Sequence, residues 1–259
     1  MLLTAVFLAS LADPEPITDN SFLIEEAFNQ EAGVVQHIST FVKFPGAERW
    51  VSTFTQEWPI DPAPRHQLSY TLSALSGASS ESGGFADTLL NWRYQAVNNE
   101  RIAFAPRASL LVPTGDWEES RSVGGFGAEI NMPVSYTTGT RFDFHWNAGA
   151  LYIPRTKNQV GDVAATLGTR VGQGIIWRAH PRIDGMLEIL WIRQQVVAGP
   201  DDADWETSFL VNPGLRWAHD LSNGLQIVPG LSFPIELEGD PSSRAGVFFY
   251  ISFEHSFRR

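Results

Sequence analysis

The 259-residue chain predicts an all-β fold: an up-and-down antiparallel transmembrane β-barrel of about 12 strands, with a short N-terminal helical or irregular segment. Residues 141–152 give the first reason. There Phe142, Phe144, Trp146, Ala148, Ala150 and Tyr152 alternate with Arg141, Asp143, His145 and Asn147. Side chains change face at every residue of a strand, so one face is apolar and aromatic and the other polar. The second reason is that this alternation recurs along the chain at strand-plus-turn spacing. The third is that short turns alternate with longer connections, as in a transmembrane barrel whose two rims differ.

Bulk composition agrees with this reading and excludes others. The chain is 43% hydrophobic with a negative mean hydropathy. After the N-terminus no apolar run approaches the roughly 18 residues of a spanning helix, a test that barrels escape because only alternate residues face lipid. Seventeen Phe, nine Trp and 22 Gly suit strands, interfacial belts and turns. The absence of Cys excludes disulfides, thiolate metal sites and a Cys nucleophile. A net charge of −11 argues against a nucleic-acid partner. No cofactor and no metal are expected.

Taken in order, residues 1–12 read as a signal peptide, with Ser10 and Ala12 as a small-x-small end, although Lys and Arg are missing. The rival is a buried N-terminal strand or helix. Residues 13–33 form a periplasmic or lumen segment. Asp19, Asn20 or Ser21 could cap a short helix over residues 22–28, ended by Gly33. Residues 34–259 are the barrel. Its strand candidates are 34–44, 49–58, 66–75, 87–97, 101–112, 125–137, 140–153, 164–180, 183–197, 207–219, 225–237 and 245–257. Short turns at 98–100, 138–139, 181–182 and 222–224 alternate with longer connections at 76–86, 114–124, 154–163, 198–206 and 238–244. The first pair departs from this order: 45–48 is short where a long loop is expected, and 59–65 is long for a turn. Pro106, Pro133, Pro213, Pro229 and Pro234 fall within strands, and each removes a ladder donor, so bulges are expected there.

The inward faces carry Lys43, Arg93, Arg107, Arg141, Arg170, Arg178 and Arg216 with Glu57, Asp87, Glu129, Asp143, Asp184, Glu188 and Glu254. One reading is a salt-bridged interior that stiffens a small barrel, since an unpaired charge in a low-dielectric lumen is costly. The other is a narrow pore in which arginines set selectivity for small anions or polarised solutes. The expected lining is Arg93, Arg107, Glu129, Arg141, Asp143, His145, Arg170, Arg178, Glu188 and Arg216. Arg93 and Arg107 lie near one turn on one face. They would crowd each other unless an acid, water or ligand separated them, which makes them the constriction candidates.

Ser135 and His145 also face inward on adjacent strands. A usable triad needs the His within reach of the Ser and a third group orienting it, and no nucleophile motif flanks either residue. The expectation is therefore no enzyme. The acidic loops at 116–119, 201–206 and 238–240 could bind divalent cations or bridge to lipopolysaccharide. They lack EF-hand spacing, and solvated loop tips are the simpler reading.

Two segments carry a resemblance. Phe85-Ala86-Asp87-Thr88-Leu89-Leu90-Asn91-Trp92-Arg93-Tyr94 and Pro106-Arg107-Ala108-Ser109-Leu110-Leu111-Val112-Pro113-Thr114-Gly115-Asp116 resemble the outer-membrane barrel family of transporters named for the MetA pathway of phenol degradation. Ala86 stands where that family has Gly. The chain end, 250–257, is similar to the aromatic signal read by the barrel-assembly machinery, except that Arg258 and Arg259 follow Phe257. The resemblance implies a Gram-negative outer-membrane location, the lipid bilayer, lipopolysaccharide and that machinery as partners, and passage of small hydrophobic or aromatic solutes. The alternatives are a closed-lumen structural or adhesion barrel, an outer-membrane lipid hydrolase and a soluble β-protein.

Overall fold

A computed structural model of the chain describes residues 17, 19–45, 49–60, 63–76, 83–139, 141–221, 225–238 and 245–256. The expected signal peptide, most of residues 13–18, the turn at 222–224 and Phe257 to Arg259 lie outside the described residues.

The strands are β1 (Val34–Phe44), β2 (Arg49–Ile60), β3 (Ala63–Ser76), β4 (Gly83–Phe85), β5 (Thr88–Tyr94) and β6 (Val97–Asn98). Next come β7 (Ile102–Phe104), β8 (Arg107–Val112), β9 (Gly127–Asn131), β10 (Val134–Thr137), β11 (Phe142–Lys157) and β12 (Val163–His180). The last are β13 (Ile183–Gly199), β14 (Asp202–Trp217), β15 (His219–Asp220), β16 (Gln226–Ser232), β17 (Ile235–Glu238) and β18 (Val247–Ser256). Their pairings are all antiparallel. β4 to β6, β7 with β8, β9 with β10, β14 with β15, and β16 with β17 are interrupted staves, so the segments make a 12-strand wall. β1 pairs with β18 from Val34↔Ser256 to Lys43↔Val247, which closes the wall into a barrel.

Three of the five in-strand prolines explain interruptions. Pro106 separates β7 from β8, Pro133 separates β9 from β10, and Pro234 separates β16 from β17. The ladder resumes around them through irregular bonds such as Phe233 N–H to the Pro213 carbonyl, 3.0 Å. Pro213 and Pro229 stay inside continuous strands, paired with Leu187 and Ile251.

The wall is inside-out relative to a water-soluble protein. Leu68, Leu90, Trp92, Leu110, Ile130, Trp146, Val171, Leu215, Phe249 and Ile251 are exposed, while Gln67, Asn91, Arg93, Asn131, Ser135, His145, Glu188, Asn212 and Ser252 are buried. A soluble protein rarely shows an apolar patch beyond a few hundred Å², so a continuous exposed belt of this kind requires a nonaqueous surrounding.

Several expectations need correction. No helix forms over residues 22–28; the segment runs as a series of bends. Two of the expected long loops are mostly strand: β11 reaches Lys157, β12 starts at Val163, β13 reaches Gly199 and β14 starts at Asp202. Beyond the bilayer both faces of a strand are wet, so the apolar alternation fades while hydrogen-bonded pairing continues. Lys43 shares its face with His37 and Phe41, opposite Gln36, Ile38 and Thr40, and is exposed. Arg141 is an exposed bend residue at the rim just before β11. The anomalous 59–65 turn also shortens, because β2 runs to Ile60 and β3 begins at Ala63, with a register shift at Pro59.

Candidate functional site

The lumen is filled by the chain's own N-terminal segment. Ile17, Asp19, Ser21, Phe22, Ile24, Glu26 and Ala27 are buried inside the wall, and β1 follows directly after Gly33. An irregular segment in a closed interior must find partners for each backbone N–H. Here wall side chains supply them. Glu188 Oε1 accepts from both Leu23 N and Ile24 N at 2.9 Å, Asn147 Oδ1 from Glu25 N at 2.8 Å, and Ser135 Oγ from Ala27 N at 2.8 Å. Gln95 Oε1 accepts from Asn29 N at 2.8 Å and Gln67 Oε1 from Gln30 N at 2.7 Å. These acceptors sit on β13, β11, β10, β3 and just after β5, so the ring of partners spans much of the circumference.

Glycines on the inner face make room for the apolar part of the plug. A Cβ at Gly172 would lie 2.3 Å from Ile24 Cδ1, and one at Gly230 would lie 2.4 Å from Phe22 Cε1. Gly214 and Gly174 widen the same two sockets. The Phe22 ring rests tilted against Phe248 and Tyr250 at centroid distances of 5.6 and 5.5 Å.

The polar part is clamped by arginines. Arg93 and Arg107 are directly opposed on β5 and β8, and the Glu25 carboxylate lies between them, 3.2 Å from Arg93 Nη1 and 2.9 Å from Arg107 Nε. Arg93 also donates to the Phe28 carbonyl and, at 3.0 Å, to Asn29 Oδ1. Arg216 donates to the carbonyls of Ile17, Asp19 and Asn20, and pairs with Glu26 and Asp184 at 3.0 Å each. Burial pushes the Glu25 carboxyl upward, but Arg107 and Arg93 outweigh it and hold it at about 2. For Asp19 burial wins and raises the carboxyl to about 6, against the pull of Arg216, Ser252 and Tyr250.

The sequence-assigned lining falls into four groups. Arg93, Arg107, Glu129 and Arg170 form one network, with Glu129 Oε1 2.8 Å from both Arg107 and Arg170. Arg178 pairs with Asp143 in the turn-end vestibule, Nε to Oδ2 2.7 Å. Glu188 and Arg216 hold the plug, and Arg141 joins none of these groups. His145 is buried, its Nδ1 2.7 Å from Ser135 Oγ, while its Nε2 is 3.9 Å from Glu26 Oε2 and unpaired. The Ser–His contact that sequence alone could not establish is therefore present, though Ser135 is fully buried and its Oγ is occupied by Ala27 N–H.

Cavities border the plug, one of them about 500 Å³ beside Asn29 to Ala32 and Arg65. Another, of about 380 Å³, lies toward the short turns and is lined by Glu26, Asp143, His145, Arg178 and Arg216 among others. A third, of about 220 Å³, lies toward the long connections and is lined by Thr40, Thr53, Thr55, Ser69, Thr71, Glu25 and Arg107 among others. Asp87 departs from its expected lumen role: its carboxylate accepts from Gly115 N at 3.2 Å and Val123 N at 2.8 Å, tying the 114–124 loop down. The two segments that carry the family resemblance thus lie side by side and lock together.

Missing from the sequence-assigned set were Ser135 as an acceptor for the plug, Asn147, Gln95, Gln67 and the socket glycines. Inward-facing glycines on long strands were the available signal, because a strand gains nothing from Gly unless something approaches closely.

A closed wall of 12 antiparallel strands, apolar outside and polar within, defines a transmembrane β-barrel fold. No protein-family model and no curated protein sequence matches the chain. Among solved structures it is similar to the NanC porin, at TM-score 0.55 and 7% identity over 87% of this chain and 100% of that one. It is also similar to the KdgM porin, at TM-score 0.49 and 7% identity over 87% and 99% of the two chains. At such identities the likeness is one of fold, and the resemblance to the phenol-degradation transporters has no matching family model behind it.

Proposed function

We propose that the chain is an outer-membrane channel for small solutes whose pore is held shut by residues 17–33 and opens when that segment moves. The observation that carries this reading is the interface between plug and wall: among the described residues it is made of side chains, ion pairs and glycine sockets and contains no strand pairing. Such an interface releases without unzipping the barrel. Cavities on both sides of the plug support a path through it. The turn end, where the plug joins β1, faces the periplasm in this reading, and the projecting β11 to β14 hairpins face outward near lipopolysaccharide. Assembly follows the barrel-assembly machinery after export. The family resemblance favours a hydrophobic or aromatic solute.

A second reading, a permanently closed structural barrel, is favoured by the six plug N–H groups that wall side chains accept. A lipid hydrolase would need Ser135 uncovered, and the same plug movement would be required. Planar-bilayer recording separates the first two. The full chain is expected to show rare openings, and deletion of residues 17–31 a steady conductance. If heat-modifiable, folded barrel lacking residues 17–31 stays silent, the channel reading is wrong.

A further inference from the structure

The wall around Glu25 is short of one negative charge. Arg93 and Arg107 oppose each other on adjacent strands, and Arg170 reaches over from β12 to share Glu129 with Arg107. Among the described residues these three guanidiniums meet two wall carboxylates within ion-pair distance, Glu129 and Glu57, the latter 3.8 Å from Arg93. The remaining counter-charge comes from the plug. Glu25 also accepts from Asn131 Nδ2 at 2.8 Å, so donors on β5, β8 and β9 converge on one planar carboxylate. If the plug withdrew, two opposed cations would be left in a low-dielectric interior with a counter-charge missing, which is costly.

The cavity geometry shows what can reach that seat. The loop-end cavity, lined by threonine and serine hydroxyls, ends on Arg107 and Glu25. A solute arriving from that end meets the arginine seat while the plug's own carboxylate still fills it. Guanidiniums and an amide converging in a fixed fork select a planar carboxylate over an uncharged group of the same shape. Exchange of one carboxylate for another conserves the charge of the seat and needs no proton.

We propose that Glu25 is an internal stand-in for the solute: Arg93, Arg107 and Asn131 form a binding seat for the carboxylate of a small organic acid, and the incoming acid releases the plug by taking the place of Glu25. The proposal rests on the channel reading and adds a substrate class to it. A solute with an apolar body fits it provided that it carries an acidic group.

The test uses the full chain in detergent and in bilayers, with propionate as probe and propionamide as its uncharged isostere. Glu25→Ala leaves the seat open, and Glu25→Gln keeps the shape while removing the charge, should the Ala variant fail to fold. Propionate is expected to raise the thermal midpoint of Glu25→Ala and to bind it about tenfold or more tightly than propionamide does. Adding Arg107→Ala is expected to abolish that preference. In the unmodified chain propionate, and not propionamide, should raise the open probability saturably. Equal responses to the two probes in the Glu25 variants would overturn the seat. Propionate binding without conductance in any variant would uphold the seat and defeat the channel reading. Conductance after plug deletion with no propionate preference would do the reverse.

Discussion

The two halves of the plug are held by different physics. The side chains of Phe22 to Ile24 are seated by shape, in hollows that exist because Gly172, Gly174, Gly214 and Gly230 have no side chains, while Glu188 accepts from the backbone of Leu23 and Ile24. Glu25 to Gln30 is seated by charge and hydrogen bonds, through Arg93, Arg107, Gln95 and Gln67. A shape contact is indifferent to pH and salt and fails when a socket is filled. A charged contact tolerates small displacement and fails when a partner is removed or neutralised. The comparison implies that the plug can loosen from one half while the other still holds.

The largest effect is expected from filling a socket. Gly172→Leu places atoms where Ile24 now lies, and eviction of Ile24 also strips Glu188 of two backbone donors. Overpacking and an uncompensated buried carboxylate together should disfavour the seated plug by about 4 kcal/mol or more. Protease cleavage within residues 17–33 of the folded barrel should rise accordingly, and persistent protection would show that shape does not hold the first half. Arg216→Ala comes next. It leaves Asp184 and Glu26 buried without their cation, a loss of about 3–5 kcal/mol. Because Asp184 belongs to the wall, this variant should also lower the barrel's own unfolding midpoint, whereas Gly172→Leu should affect chiefly the plug. Phe22→Ala should cost about 3 kcal/mol of plug seating through the emptied pocket beside Phe248 and Tyr250, with little dependence on salt.

Acidity divides the charged contacts further. Asp19 sits among Arg216, Gln36, Tyr250 and Ser252, with Glu254 near by, and titrates at about 6 in the seated plug against an ordinary 3.8. Its raised value means that its contribution is complete below 3.8 and is lost as pH rises through 6. Glu25 titrates at about 2 against an ordinary 4.5, so its contribution is complete above 4.5 and is lost as pH falls toward 2. Each is worth about 2–3 kcal/mol, so seating should be firmest near pH 4 and weaken on both sides. The chain has no Cys, so Phe28→Cys can carry a single nitroxide whose mobility reports seating. Mobility should pass through a minimum near pH 4. Asp19→Asn should remove the rise above it and Glu25→Gln the rise below it; a flat profile would contradict both assignments.

The lipid-facing wall was legible in the sequence because the bilayer imposes a one-residue rule on each strand. Leu90, Trp92, Ile130 and Phe249 obey it, and the crowding of Arg93 and Arg107 followed from their place on one face near one turn. The lumen was less legible because its partner is distant in sequence. Nothing near Glu188 announces Leu23, and nothing near Ser135 announces Ala27. The plug itself contains residues suited to a helix, but its N–H groups gain wall acceptors that a helix would have turned inward on itself. The outer hairpins were misread as loops because alternation measures the surroundings of a strand and fades where both faces are wet.

Arg141 shows how far alternation reaches. By parity it belongs with Asp143 and His145 on the inner face, and it opens the stretch of sequence whose alternation is the cleanest in the chain. Parity assigns a face, whereas burial depends on depth, and Arg141 lies at the rim, exposed, with its backbone carbonyl accepting from Arg178 N. A charged side chain already in water pays little desolvation and gains little from a partner. Arg141→Ala should therefore change the unfolding midpoint by no more than about 0.5 kcal/mol and leave ion selectivity where it was. Arg107→Ala, at an inward-facing position in the Glu25 seat, should shift selectivity toward cations. Equal shifts from both variants would mean that the whole inner face acts as one electrostatic surface, and the distinction between rim and seat would have to be given up.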